Sequence, residues 1–362
     1  MPSRRDFALT ALAGAAAPAA TKKTLEPLTP GIKISLQVPT NPSDEDLIFA
    51  KQIGVEWVNI PSGGASATGD NFIQWKSRVE TNGMRVWNIG NSNVHNMEQV
   101  TLNLPGRDQK VEEYKQFLRN LAKAGLTYTT YAHMANGIWS SERSTTRGNA
   151  SARRYLRTTA KGVWAGKTFD GELTHGRRFS KEEIWENYTY FIRRVAPVAE
   201  ELGIRIGIHP DDPPETEIAG VPRCIFSTYD GYMRALEIAN SPNVGVCFCV
   251  GTWLEGGKLT GREVNEALRG FAKIGKLWKV HFRNVTAPVP DFTETFIDNG
   301  YGDLAKVMRT LVDVDFRGNL IADHVPAMVG HRNVAWAYSL GYIKALYKMA
   351  GDAQPGSRRG LA

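Results

Sequence analysis

Two imidazoles, a thiol and a carboxylate stand at matching places in the second half of this sequence: His209, Cys249, His281 and Asp323. Each closes a short apolar run. In Ile204-Arg-Ile-Gly-Ile-His209 the isoleucines alternate with arginine, glycine and histidine, so His209 shares a strand face with Gly207 and Arg205. The Pro-Asp-Asp-Pro-Pro214 that follows cannot extend a ladder, and the strand must stop there. Val244 to Cys249, Trp278 to His281 and Leu320 to Asp323 end in the same manner. Singly, these residues have ordinary packing roles, Cys249 as a small buried apolar group and Asp323 as a helix cap. Four in step on successive strands would meet around one cation if the strands were neighbours. By chemistry alone the thiolate points to zinc or iron, since manganese prefers oxygen-rich shells. Cys247, two residues before Cys249, reads as core one layer deeper, and Cys224 has no metal-like spacing. Asp323 and His324 are adjacent and would face opposite ways on an ideal strand, so both reach one mouth only if the strand ends at Asp323. Pro326 favours that ending.

The elements that must position these groups alternate along the chain. Strands are expected at 32–38, 57–60, 85–89, 128–134, 204–209, 244–249, 277–283 and 319–324. Helices are expected from Ser43, where Asp46 completes a capping box, and at 72–81, 111–124, 181–202, 229–239, 262–274, 302–312 and 334–349. Eight strand–helix units in this length predict α/β architecture as a single (β/α)8 TIM barrel. A doubly wound sheet is the runner-up, but no Gly-rich phosphate turn follows the first strand. The excursion from Asn136 to Arg178 reads as an insertion after strand 4, on the active-site face, serving as a lid, a partner surface or a solvated loop.

The chain has 362 residues, 42% of them hydrophobic, enough for a large core. Its formal charge of +7 is scattered, densest from Arg147 to Arg178, without the clustering a nucleic-acid footprint needs. Ser3-Arg-Arg-Asp-Phe-Ala-Leu9 followed by an Ala-rich run to Ala20 predicts a twin-arginine export signal, and that run is too short to span a bilayer. The expected organisation is a signal at 1–20, the barrel at 21–350 and a flexible tail at 351–362, in a periplasmic or secreted protein. Three cysteines make a disulfide framework improbable and leave at least one thiol free.

His209-Pro-Asp-Asp-Pro-Pro214 with Gly220-Val-Pro-Arg223, and Cys249-x-Gly251-Thr252, are similar to blocks of the mannonate dehydratase family. His281-Phe-Arg-Asn-Val285, Phe292-Thr-Glu294, Gly300-Tyr-Gly-Asp303, Asp323-His324 and Tyr338-Ser339 follow in that family's order. The resemblance covers 204–340 well and most of 30–350 weakly. It implies a TIM barrel, a manganese or iron centre on His209, Cys249, His281 and Asp323 (zinc by ligand chemistry), and acid–base roles for His324 and Tyr338. The implied reaction removes water from D-mannonate to give 2-dehydro-3-deoxy-D-gluconate. Arg283 and Arg223 are candidates to grip the sugar acid's carboxylate through the guanidinium fork. Asn284 and Glu294 are candidates for its hydroxyls, and Asp211 and Asp212 to orient a ligand imidazole or cap the turn. The chain departs from the family in Ile60-Pro-Ser-Gly-Gly-Ala65, which lacks a histidine, and in Trp139-Ser-Ser-Glu-Arg143, where serines stand where an arginine is usual.

The expected partner is a small sugar acid, with no nucleic acid and no membrane span, and a homo-oligomer stays open. Two other readings use the same residues: a barrel isomerase or epimerase of keto-sugars, and an exported carbohydrate-binding protein without turnover.

Overall fold

Eight parallel strands form one sheet: β1 (Lys33–Gln37), β2 (Trp57–Ile60), β3 (Arg85–Ile89), β4 (Tyr128–Tyr131), β5 (Arg205–Ile208), β6 (Val244–Cys249), β7 (Leu277–Phe282) and β8 (Asn319–Ala322). They are hydrogen-bonded in the order β3-β2-β1-β8-β7-β6-β5-β4, and β3 lies beside β4 at the seam, so the sheet is a nearly closed barrel. The structure is a computed structural model that describes residues 22–223 and 225–352. The expected export signal at 1–20 and Cys224 lie outside the described residues. Of the expected tail, Gly351 and Asp352 instead complete the last helix, and the rest lies outside as well.

Helices follow the strands as expected: α1 (Asp44–Gln52), α2 (Gly69–Thr81), α3 (Arg107–Lys123), α4 (Lys181–Leu202), α5 (Tyr229–Ala239), α6 (Val264–Lys273), α7 (Leu304–Asp313) and α8 (Val334–Asp352). Ser43 and Asp46 cap α1 reciprocally, and Ser180 with Glu183 does the same for α4. The outward residues Ile206, Ile208, Val246, Phe248, Val280 and Leu320 are fully buried beneath these helices. Each such side chain contributes about 1.5–3 kcal/mol through its removal from water. No described helix is long and apolar enough to cross a membrane.

Inside the barrel the side chains are polar and tightly fitted. Lys279 Nζ donates to Asn59 Oδ1 at 3.1 Å, Asn59 Nδ2 to Ser35 Oγ at 2.8 Å, and Ser35 Oγ to Asn319 Oδ1 at 3.0 Å. Gly207 is required here, because a Cβ on it would lie 2.1 Å from Tyr128 Oη. At the bottom, Leu28 and Trp57 pack against Trp87, Tyr128 and Trp278, and Arg205 donates to the Glu26 carbonyl, so the segment before β1 seals that end.

Two strand details place the chemistry at the other end. A bulge between Val246 and Cys247 shifts the β6–β7 register by one residue, so Cys249 pairs with His281 rather than with Val280. β5 and β8 stop at Ile208 and Ala322, one residue before the histidine and the aspartate expected to end them.

The 136–178 excursion is folded, not a solvated loop. Its short strands Ile138–Ser140, Lys161–Trp164 and Lys167–Phe169 form an antiparallel sheet, and Ser144–Thr146 pairs with Ala150–Ala152. Arg154–Leu156 pairs with Asp291–Thr295 of the loop after β7, which docks the insertion across the barrel mouth. Arg147, Arg153, Arg154, Arg157, Lys161, Lys167, Arg177 and Arg178 each face a carboxylate, and only the Lys161 partner, Asp170, belongs to the insertion itself. The basic run is thus neutralised within the chain.

Candidate metal centre and acid–base site

His209, Cys249 and His281 present ligand atoms that all lie within 4.8 Å of one another. His209 follows β5 directly, and its backbone N–H still bonds the Tyr131 carbonyl of β4 at 2.8 Å. Its Nδ1 lies 2.8 Å from the Pro210 carbonyl and must donate, which leaves the Nε2 lone pair for an ion. Cys249 ends β6 and caps the short helix Val250–Gly256, with Thr252 N–H donating to Sγ at 3.4 Å. Burial alone would raise its pKa, but the Arg283 charge and the adjoining His209 and His281 imidazoles hold the thiol well below its ordinary value.

Asp323, the residue after β8, stands beside these three. Its Oδ2 is 3.5 Å from His281 Nδ1 and 4.0 Å from Cys249 Sγ. Burial raises this carboxyl, yet His324, His281 and Arg283 together hold it well below the usual carboxylate range. The donor set fits a divalent ion on a further ground. His281 Nδ1 is buried and makes no hydrogen bond within the described structure, a costly state for an imidazole nitrogen unless something else takes its lone pair.

His324 sits beside this cluster. Its φ of +47° is in the left-handed region, and the turn brings its ring to the same side as Asp323 although the two are consecutive. Nδ1 lies 2.7 Å from Glu294 Oε1, and Nε2 is 3.6 Å from Asp323 Oδ1. Burial lowers the pKa of this histidine, but Asp323 and Glu294 outweigh it and lift the group to about 9.

The remaining expected residues have other partners. Arg283, 2% exposed, donates from Nε to Asp323 at 3.1 Å and from Nη2 to Asp212 at 3.2 Å and Thr252 at 3.0 Å. Its Nη1 is bound to Glu255. Arg223 is buried and donates to the carbonyls of Asp212 and Gly137 and to Asn136 Oδ1, tying the insertion's root to the loop after β5. Asn284 accepts from the N–H groups of Val285 and Gly302 and donates to the Gly302 carbonyl, fixing the loop after β7. Asp211 accepts from Ser227, and Asp212 pairs with Arg153 and Arg283; neither carboxylate has a hydrogen bond to the ligand imidazoles. Tyr338, on α8, receives a hydrogen bond from Arg147 at 3.2 Å and packs edge-on against Phe296.

Three residues of this region carry no sequence signal of their own. Arg153 comes from the insertion, Glu255 from the short helix after β6, and His95 from the loop after β3. Glu255 is fully buried, and burial together with Asp212 pushes its carboxyl up to about 8 against the pull of Arg283. The His95 ring is stacked 5.5 Å from Trp164 of the insertion. A Glu in a short helix and an Arg in an insertion look like surface residues until the insertion's docking is known.

Fold and rim together define a class: (β/α)8-barrel enzymes that gather metal ligands at the C-terminal ends of their strands. The comparisons narrow it. The sequence pattern of the family described as D-mannonate dehydratase (UxuA) matches residues 50–159 and 164–354. Mannonate dehydratase of Streptococcus pneumoniae (strain 70585) is 30% identical over 297 residues, covering 76% of this chain and 79% of that protein. The crystal structure of mannonate dehydratase from Streptococcus suis serotype 2 superposes with a TM-score of 0.76 at 26% identity, covering 89% of this chain and 96% of that one. An L-ribulose 3-epimerase, with a TM-score of 0.56 and 12% identity over 90% of this chain and 99% of its own, shares the fold alone. The chain belongs to the D-mannonate dehydratase family.

Proposed function

We propose that this protein is a metal-dependent hydro-lyase that removes water from D-mannonate to give 2-dehydro-3-deoxy-D-gluconate. The observation that carries the reading, beyond family membership, is the Glu294–His324 contact of 2.7 Å set beside the His209–Cys249–His281 cluster. Elimination needs a base for the hydrogen on the carbon next to the carboxylate, and an acid for the departing hydroxyl.

An ion held by His209, Cys249, His281 and Asp323 would supply Lewis acidity toward the carboxylate and the charge that develops beside it. The chain's own groups do the rest. Glu294 takes the Nδ1 proton of His324 as a hydrogen bond, which directs Nε2 toward the ligand side and fixes the face from which a proton moves. Arg283 is saturated by Asp323, Asp212, Glu255 and Thr252, so it holds the aspartate in place instead of gripping substrate. The insertion shields the mouth from water, and Tyr338, held by Arg147, serves as the second proton-transfer group.

Manganese is the ion we assign, with iron(II) and zinc as the competitors. Metal analysis of protein purified without added metal, followed by reloading with each ion, tests that choice. Turnover is tested by incubating the Mn(II)-loaded protein with D-mannonate and other aldonic acids and assaying the keto-deoxy acid with thiobarbiturate. Absence of product from every hexonate sinks the lyase reading. The twin-arginine run Ser3–Leu9 supports export, and fractionation of cells carrying R4K/R5K tests it: the wild-type protein should leave the cytoplasm and the variant should stay.

A further inference from the structure

The insertion does more than cover the barrel mouth. Of its cations, Arg153 is the one taken out of water, with its side chain 11% exposed, while Arg147, Arg157, Lys161 and Lys167 each keep about half their surface or more. Nη1 of Arg153 is 2.8 Å from Glu294 Oε1, and Nη2 is 2.7 Å from Asp212 Oδ1 and 2.8 Å from the Trp139 carbonyl. The same Glu294 oxygen accepts from His324 Nδ1 at 2.7 Å. The backbone repeats the connection, since Glu294 N–H donates to the Arg153 carbonyl at 2.9 Å. The Arg153 guanidinium also lies 5.8 Å from the Phe292 ring centre.

We propose that Arg153 is a positioning residue for the dehydration: by clamping Glu294 and Asp212 with one planar fork, it fixes the carboxylate oxygen that holds His324 and makes the docked insertion part of the active site. Resting on the lyase reading above, this inference assigns a role that neither Trp139 nor Arg143 could fill. Arg143 is turned outward, bound to Ser151 within its own hairpin.

A carboxylate can rotate about its last bond, and a single contact to His324 would leave Glu294 free to do so. Two fixed partners on one oxygen, with the guanidinium anchored in turn on Asp212 and a carbonyl, remove that freedom. Four carboxylates (Asp212, Glu255, Glu294 and Asp323) share Arg153 and Arg283 as their cations. Arg283 alone cannot replace its neighbour, because its Nη1 is 3.5 Å from Glu294 and already bound to Glu255. A lysine would reach one carboxylate but could not bridge two with fixed angles.

The test compares R153M and R153K with the wild type in Mn(II)-loaded, full-length protein. Expected for R153M is a kcat on D-mannonate lowered about a hundredfold, the low end of what a well-placed proton-transfer group supplies, with KM changed less than about threefold. Manganese per chain should stay at the wild-type value, and hydrogen exchange of 150–156 and 291–295 should quicken. R153K should keep the exchange protection yet recover only part of kcat. A purely structural role predicts instead that R153K restores kcat fully once the fold is restored, and that result overturns the proposal. So does R153M with wild-type kcat. If the wild type itself does not dehydrate D-mannonate, the lyase reading fails by that measurement. The proposal is then read from exchange alone, and unchanged protection of 291–295 in R153M overturns it.

Discussion

Asp323 and His324 are consecutive, yet both face the barrel mouth, because β8 ends at Ala322 and His324 takes a φ of +47°. One residue presents a carboxylate to the ligand cluster and the next a ring to Glu294. On the proposed mechanism, metal binding and proton transfer are therefore separable by mutation. His324→Asn is expected to lower kcat by roughly a hundredfold to ten-thousandfold, the span of general acid–base contributions, with bound metal unchanged. Metal content by emission spectroscopy beside steady-state kinetics decides it. Equal activity in the variant would remove His324 from the chemistry.

Cys249→Ala should behave in the opposite way. Partners that only orient ligands cost about 10–100-fold in metal affinity when removed, and loss of a ligand should cost at least as much. Titration of the metal-stripped variant with Mn(II) measures this. Wild-type affinity in the variant would show that the thiolate stands outside the coordination shell.

Much of this architecture was legible in the sequence. The eight strands and their helices announced themselves through apolar runs and caps, and β6 and α4 run over the expected residues, Val244–Cys249 and Lys181–Leu202. The strands that carry the candidate ligands stand out because each run ends at a polar residue that packing does not ask for. The β6–β7 bulge left no such mark, although it sets Cys249 abreast of His281. The insertion was harder. Its strands are three or four residues long, too short for periodicity, and Arg153 gains its meaning only from a pairing with residues about 140 positions away. Arg223 and Arg283 looked available for substrate because the guanidinium fork suits a carboxylate, and Asn284 because it lies in a block matching the family. The structure binds all three to its own carbonyls or carboxylates.

Gly207 offers a test of the barrel interior. The Cβ of an alanine there would lie 2.1 Å from Tyr128 Oη and 2.8 Å from Cζ, so the ring itself must move. Gly207→Ala is expected to lose about 1–3 kcal/mol of stability by overpacking, with metal affinity falling as His209 shifts on the same strand face. Chemical denaturation gives the first quantity. A variant as stable as the wild type would mean that the Tyr128 ring has a second site to occupy.

His133 gives the protein an acid limit that is independent of the ligand cluster. Its ring is buried, shares a hydrogen bond with Tyr131 Oη at 2.7 Å and has no partner at Nε2 within the described structure. Burial depresses its pKa from 6.5 to about 3. The unfolded chain therefore binds a proton on this residue below pH 6.5, and the folded chain does not until about pH 3. Unfolding takes up that proton throughout the interval, so stability falls as pH falls, by about 1.4 kcal/mol per pH unit when one group is fully engaged. His95, partly buried and depressed to about 3 chiefly by desolvation, acts in the same direction. Replacing His133 with Gln removes one of the two contributions. Between pH 6.5 and 5 the loss of unfolding free energy should then shrink by roughly 2 kcal/mol relative to the wild type. Urea melts of both proteins at half-unit steps of pH measure the difference, and parallel curves would place the acid sensitivity elsewhere in the chain.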